Sequence, residues 1–340
     1  SDKENPAINI LSFIDANPTG YGRIVRHDGQ GVTGIVEEKD ASDEIRKITE
    51  CNSGIMIIQG NAVENLLSQL DNNNQQKEYY LTDVVKHAVN ASLKVKSTIC
   101  PQPREVLGVN NQVQLEQLES IRREWISLQL MTDGVKLFDS KRIDVRGHLS
   151  TGENVTIDVN CIFNGECSIG NNVKIGAGCV INNTSIGDDC EILPNCVIED
   201  SQIENKVTIG PFARIRPETV LQDNSKVGNF VEIKKSTVGV GSKVNHLTYI
   251  GDCTIGKGVN IGAGVITCNY DGAYKHQTII EDDVFVGSDC QLVAPVTLAK
   301  GSTIGAGSTI TKNTSTNQLA LSRSKQISIK GWDRPKKEIK

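Results

Sequence analysis

The stretch Cys167-Ser168-Ile169-Gly170-Asn171-Asn172-Val173-Lys174-Ile175-Gly176-Ala177-Gly178-Cys179-Val180-Ile181 places an isoleucine at every sixth position. The step runs back to Phe163 and Ile157, and forward through Ile186, Ile192, Ile198, Ile203, Ile209, Ile215, Leu221, Val227 and Ile233. It continues through Val238, Val244, Ile250, Ile255 and Ile261, breaks, and resumes at Ile280, Val286, Leu292, Leu298, Ile304 and Ile310. Most steps are six and a few are five. A helix repeats every 3.6 residues and a plain strand every two, so neither forces this spacing. Three short strands per coil, with about 18 residues per turn, do force it. From about residue 157 the chain therefore reads as a parallel β-solenoid with coils stacked at strand spacing. Gly repeatedly follows the apolar residue, as at Gly170, Gly176, Gly210, Gly256 and Gly305. These glycines are expected at tight corners with positive φ.

The cysteines fall into the same grammar. Cys161, Cys167, Cys179, Cys190, Cys196, Cys253 and Cys290 each stand two residues before an apolar register position. Ala213, Thr219, Ser225, Thr248 and Ser302 fill that slot elsewhere. The slot takes a small inward side chain, and Cys behaves as a small hydrophobe. No pair is spaced C-x-x-C, and the length and the missing signal favour a reducing compartment. Phe, Trp and Tyr make up only 4% of the chain against 31 glycines, so the core must be aliphatic.

Composition excludes several classes. The 340 residues carry 36 Lys and Arg against 41 Asp and Glu, a net charge of -5. A nucleic-acid binder shows a basic excess instead. No apolar run approaches a membrane span, and the opening Ser1-Asp2-Lys3-Glu4-Asn5-Pro6 is polar, unlike a secretory signal.

Residues 1–110 read as mixed α/β. Strands are expected at 8–13 and 55–58, and helices at 62–70 and 82–93, with Thr82 as N-cap. Residues 72–76 read as a polar loop. Leu115, Leu118, Ile121, Trp125 and Leu128 define the apolar face of a joining helix.

A bare solenoid needs no chemistry, and a structural trimer of packed faces is a coherent reading. Function is expected where the repeat breaks, at Thr267 to Thr278, which throws Asn269, Tyr270, Lys275 and His276 out on a loop. Elsewhere, His246 follows register residue Val244, with Arg216, Lys234, Lys235 and Tyr249 on neighbouring coils. A His among cations fits an anionic substrate and a general base. Alone, His246 would be a surface histidine and the charges a solvated face. His27 reads as a turn residue near Gly29, His87 as helical, and His148 as preceding the regular coils.

Six motifs carry a resemblance. They are Ile209-Gly-Pro-Phe-Ala-Arg-Ile-Arg-Pro217, Val227-Gly-Asn-Phe-Val-Glu-Ile-Lys-Lys235, His246-Leu-Thr-Tyr-Ile-Gly-Asp252, Asn260-Ile-Gly-Ala-Gly264, Thr267-Cys-Asn-Tyr-Asp-Gly272 and Phe285-Val-Gly-Ser-Asp289. They resemble the acetyltransferase domain of the GlmU family. Its members are bifunctional bacterial N-acetylglucosamine-1-phosphate uridylyltransferases and glucosamine-1-phosphate N-acetyltransferases. Pro18-Thr-Gly-Tyr-Gly-Arg23, Val36-Glu-Glu-Lys-Asp40, Asn52-Ser-Gly54, Glu78-Tyr-Tyr-Leu-Thr-Asp83 and Gly108-Val-Asn-Asn111 resemble the later part of the family's nucleotidyltransferase domain.

The resemblance implies a Rossmann-like α/β remnant at 1–110, a linker helix at 111–134, a left-handed β-helix at 135–325 and a basic tail at 326–340. It implies His246 as general base. Arg216, Lys234, Tyr249, Asn260 and Lys275 match the binders of glucosamine 1-phosphate. Ala263, Asn269, Tyr270, Ser288, Ala306 and Arg323 match contacts to the co-substrate acetyl-CoA, and Glu232 is a candidate orienting carboxylate. Gly22, Glu37, Asn52 and Asn110 match the uridine-nucleotide site, with Asn110 also a Mg²⁺ ligand. The family's Gly-rich loop and metal-binding Asp have no counterpart before Pro18, so uridylyl transfer is expected to be weak or absent. A homotrimer with sites between subunits is implied, as is a bacterial cytoplasm, with a product that feeds cell-wall precursor synthesis. Three alternatives stay open: a solenoid carbonic anhydrase, which needs three His ligands on one metal; another solenoid acyltransferase; and a non-catalytic trimeric scaffold.

Overall fold

The computed structural model describes residues 5–27, 31–335 and 337. The chain divides into two compact units, Ser1–Arg122 and Arg123–Lys340. Residues 1–4, Gly29 and part of the basic tail (Lys336 and 338–340) lie outside the described residues. The described part of 326–340 is exposed and holds no helix or strand.

The first unit is a five-stranded sheet in the order β3-β2-β4-β1-β5. Its strands are β1 (Ile8–Ile14), β2 (Arg23–His27), β3 (Gly31–Val36), β4 (Glu50–Ile58) and β5 (Val95–Ile99), with β1 and β5 parallel. Helices α1 (Asp43–Arg46), α2 (Gly60–Leu67) and α3 (Asp83–Asn90) accompany it. Ile8, Ile10, Ile24, Val32, Ile35, Leu66, Val84, Val85 and Ala88 form the buried core. The strand and helix expectations hold, with two refinements. β4 begins five residues earlier than the apolar run, at Glu50. Thr82 sits at the N-cap position of α3 but has helical φ and ψ and makes no capping bond. Its hydroxyl donates instead to Glu37 Oε1 at 2.9 Å. His27 ends β2 and is exposed.

Helix α4 (Gln112–Thr132) forms as expected, but its buried stripe differs. Leu115, Trp125 and Leu128 are exposed, while Ser127 and Leu130 are buried and Ile126 packs on the solenoid core. The expected face came from the most apolar stripe. The face that is used is the one that covers the end of the solenoid.

The second unit is the left-handed parallel β-helix. One face is an eleven-stranded parallel sheet running from Lys136–Leu137 to Leu319–Ala320. The pairings Val227↔Val244↔Ile261↔Val286↔Ile304 stack the register residues coil upon coil. Every register residue from Ile157 to Ile310 is buried, and so is every small-slot residue named above. Burial pushes the Cys161 thiol up to about 12 and raises Cys167, Cys190 and Cys253 as well. These are structural thiols. His148 lies in strand Ile143–Thr151, which pairs residue for residue with Cys161–Ile169, so the coils start earlier than the period suggested.

The glycine expectation is corrected. Of Gly170, Gly176, Gly210, Gly256 and Gly305, only Gly210 has a positive φ, at 99°. The others are small because the next coil lies against them. A Cβ on Gly176 would meet the Pro194 nitrogen at 2.7 Å, and one on Gly256 the Asp282 nitrogen at 2.8 Å. The left-handed residues stand instead just before the small slot, for example Asn160, Asn172, Asp189, Asn195 and Asn224. Asn and Asp tolerate that region best among residues with a side chain.

Candidate functional site: one corner column and a cationic cluster

His246 ends strand Lys243–His246 and turns into Leu247, whose φ is +49°. Its ring is exposed, and Nδ1 lies 2.8 Å from Asn229 Oδ1, one coil earlier. An amide oxygen only accepts, so Nδ1 donates to it and Nε2 is the ring nitrogen left outside this bond.

The same corner rises through the following coils. Gly264 N–H donates to the His246 carbonyl at 3.3 Å, and Asp289 N–H to that of Ala263 at 2.7 Å. Gly307 N–H donates to the Ser288 carbonyl at 2.9 Å. Arg323 Nη1 reaches the Ala306 carbonyl at 2.8 Å. His246, Ala263, Ser288, Ala306 and Arg323 thus form one column, small-walled in the middle and cationic at its end. On the other side of His246 the corner turns large. Phe212, Phe230 and Leu247 all hold positive φ, are 50, 57 and 62% exposed, and the two Phe rings stack at 5.4 Å.

The next face carries the charges. Glu232 pairs with Tyr249 and Lys234 with Gly251 across adjacent strands. Arg216 Nη1 donates to Glu232 Oε1 at 2.7 Å, so this carboxylate orients the guanidinium. Lys234 and Lys275 of the extruded loop shift each other's titration. The pKa of Lys234 is lowered, chiefly by its hydrogen bond with Lys275, whereas that of Lys275 is raised by the same bond, with Asp252 also favouring its charge. Asn269 is buried and donates from Nδ2 to Asp252 Oδ2 at 2.6 Å. Tyr249 and Asn269 both crowd Gly251, where a Cβ would meet Asn269 Nδ2 at 2.7 Å. A cavity of about 380 Å³ beside the loop is lined by Lys235, Asp252, Lys275 and His276, among others. Tyr270 is exposed on the loop, and Asn260 is half-buried, paired with Lys243 on the eleven-stranded sheet.

Three residues escaped the sequence reading: Asn229, Asp252 and Asp271. Asn229 was visible only as a position one coil before His246. Asp252 and Asp271 stood in the quoted motifs with no role of their own.

In the first unit, Gly22, Glu37 and Asn52 come together. Asn52 N–H donates to the Gly22 carbonyl at 2.8 Å, and a Cβ on Gly22 would meet Glu37 Oε2 at 3.3 Å. Asn110 is exposed, its N–H donating to Gln114 Oε1 at 2.7 Å. Among the described residues no group of three or more His, Cys, Asp or Glu could hold a metal. One exposed amide does not make a Mg²⁺ site, so no chemistry here is routed through a metal. No helix among the described residues is long and apolar enough to cross a membrane.

A repeat-built coil bearing a grooved corner and a cationic pocket belongs to the hexapeptide-repeat transferases. Residues 277–312 match the family model described as bacterial transferase hexapeptide (six repeats), and 145–224 match the GMPPB C-terminal domain. Two curated relatives, each a bifunctional protein GlmU, come from Nitrosomonas eutropha and Nitrosospira multiformis. They are 53% identical over 332 and 334 residues, covering 97% and 98% of this chain and 72% and 73% of their own lengths. The chain belongs to the GlmU family. Among solved structures, a UDP-N-acetylglucosamine acyltransferase from Bacteroides fragilis is 20% identical. It covers 50% of this chain and 66% of its own, at a TM-score of 0.37, too slight a likeness to add weight.

Proposed function

We propose that this chain transfers the acetyl group of acetyl-CoA to the amine of glucosamine 1-phosphate. The observation that carries the reading is His246 Nδ1 held 2.8 Å from Asn229 Oδ1, with the Arg216 guanidinium held at 2.7 Å by Glu232. Lys234 and Lys275 add basic side chains that an anion would draw into their charged forms. With Arg216 beside them, a phosphate dianion fits. Tyr249 and Asn260 are assigned to the sugar.

His246 Nε2 takes the proton from the amine as its nitrogen attacks the thioester carbonyl. The tetrahedral oxyanion collapses, the C–S bond breaks, and the imidazolium returns the proton to the leaving thiolate. Asn229 fixes the tautomer that this requires. The column Ala263–Ser288–Ala306 is assigned to the pantetheine arm, and Arg323 to a CoA phosphate, with Asn269 and Tyr270 supporting the acyl end. The apolar ridge Phe212–Phe230–Leu247 supports assembly as a homotrimer. We assign domains at 1–110, 111–134, 135–325 and 326–340, and a bacterial cytoplasmic setting. Among the described residues, those assigned to uridylyl transfer supply neither a phosphate cradle nor a metal cluster.

The test is CoA thiol release from acetyl-CoA with glucosamine 1-phosphate, glucosamine or serine as acceptor. Release with glucosamine 1-phosphate alone is expected. Release with serine, or none from a folded trimer, overturns the reading.

A further inference from the structure

We propose that Asp271 and His276 form a clamp that positions Lys275 for the acceptor's phosphate, a role that rests on the acetyl-transfer reading above. The loop leaves the coil after Cys268 and returns at Thr278. Its root is fixed independently, since Asn269 is buried and bound to Asp252. Beyond Asn269 the chain makes a miniature hairpin. Tyr270 and Lys275 face each other as an antiparallel bridge. Asp271 N–H donates to the Tyr274 carbonyl at 3.1 Å, and His276 N–H to that of Asn269 at 2.8 Å. Gly272 turns the tip with a φ of +101°.

The Asp271 carboxylate closes this hairpin from within. Oδ1 accepts from the N–H groups of Ala273 and Tyr274 at 2.8 and 2.7 Å. Oδ2 lies 2.7 Å from His276 Nε2. Lys275 is therefore the residue enclosed between the turn and the clamp's far end. An exposed lysine on a free loop would swing away from a second ammonium, because like charges repel and water solvates each alone. Here Lys275 lines the cavity beside Lys235 and Asp252, so the hairpin supplies the restraint. Asp271 and His276 touch no assigned substrate atom. They are positioning residues that act through Lys275.

The experiment is a steady-state cycle on the full chain: wild type, His276→Ala, Lys275→Ala and the double variant, with acetyl-CoA and glucosamine 1-phosphate. His276→Ala is expected to raise KM for glucosamine 1-phosphate roughly tenfold, with kcat within about twofold, the pattern of lost ground-state binding. KM for acetyl-CoA should hold, because Asn269 keeps its own anchor. The double variant should be no worse than Lys275→Ala, since the clamp acts only through that lysine. His276→Gln, which can still donate to Asp271, should recover part of the loss. An unchanged KM in His276→Ala beside a raised one in Lys275→Ala overturns the clamp and leaves acetyl transfer standing. Additive losses in the double variant do the same. A wild-type chain that releases no CoA with glucosamine 1-phosphate overturns the acetyl-transfer reading, and the clamp falls with it.

Discussion

The two units solve the same problem, burying an aliphatic core with few aromatics, by opposite means. The solenoid repeats one solution. Each coil presents one register residue per face and one small slot per corner, and each touches only its neighbours. The first unit repeats nothing. Its sheet joins β1 to β5 across most of the unit's length, and it buries Arg23 against Glu38 at 2.7 Å. Arg26 likewise binds Glu50 at 2.8 Å. Such pairs contribute little net stability, but losing one partner is costly. A repeat tolerates a weak coil because its neighbours are alike. A non-repeating sheet depends on each contact being present. The difference also places function: in a uniform coil, any departure from the repeat stands out.

Four measurements would break or sharpen this comparison. The largest expected effect is on chemistry. His246→Ala should lower acetyl transfer by about a thousandfold, the range of a general base, while circular dichroism and assembly stay as in wild type. Turnover equal to wild type would remove the base from His246.

Next comes packing. Gly176→Ala forces a Cβ to within 2.7 Å of the Pro194 nitrogen, and backbone cannot step aside. A loss of about 1–3 kcal/mol is expected from such overpacking. Gly34→Ala in β3 meets nothing within 4 Å. It should be neutral or gain up to about 1 kcal/mol. Equal effects in thermal melts would mean that the coils are no more tightly stacked than the first unit.

A smaller effect is a shift in pH dependence. Lys234 has a lowered pKa, chiefly through its hydrogen bond with Lys275, with desolvation and the charge of Lys275 adding to it. As pH rises, Lys234 loses its proton before an ordinary lysine would, so KM for glucosamine 1-phosphate should climb from that lower pH. In Lys275→Ala the opposition is gone, and the climb should begin at higher pH. A profile that keeps its onset would show that the two lysines do not share a site.

The smallest effect tests the slot. Native protein should expose at most Cys268 to an aromatic disulfide reagent, because the other described cysteines are buried. The unfolded chain should release all ten thiols. Fast reaction of Cys253 or Cys290 in native protein would mean that the coil opens locally.

Most of the solenoid was legible because its inward positions recur at a fixed step, and inward positions must be apolar or small whatever their partners. The site was legible in parts. His246, Lys234 and Lys275 stood out as reactive types in a segment of short residues. Their arrangement did not, because the steps from His246 to Ala263, Ser288, Ala306 and Arg323 are unequal, and the long one is hidden by the extruded loop. Asn229 and Asp271 gave no signal, since an amide or acid at a corner is the default for a turn.

By itself, the sequence determined the coil, its slots and the place where it breaks. The period of burial is a local property, written into every few residues. Only the tertiary structure decided which glycines are small for lack of room, which face of α4 is covered, where the Thr82 hydroxyl goes and how His246 meets Asn229. Each of those depends on the group that lies one coil or one strand away. A chain fixes such distances only when its non-local contacts close.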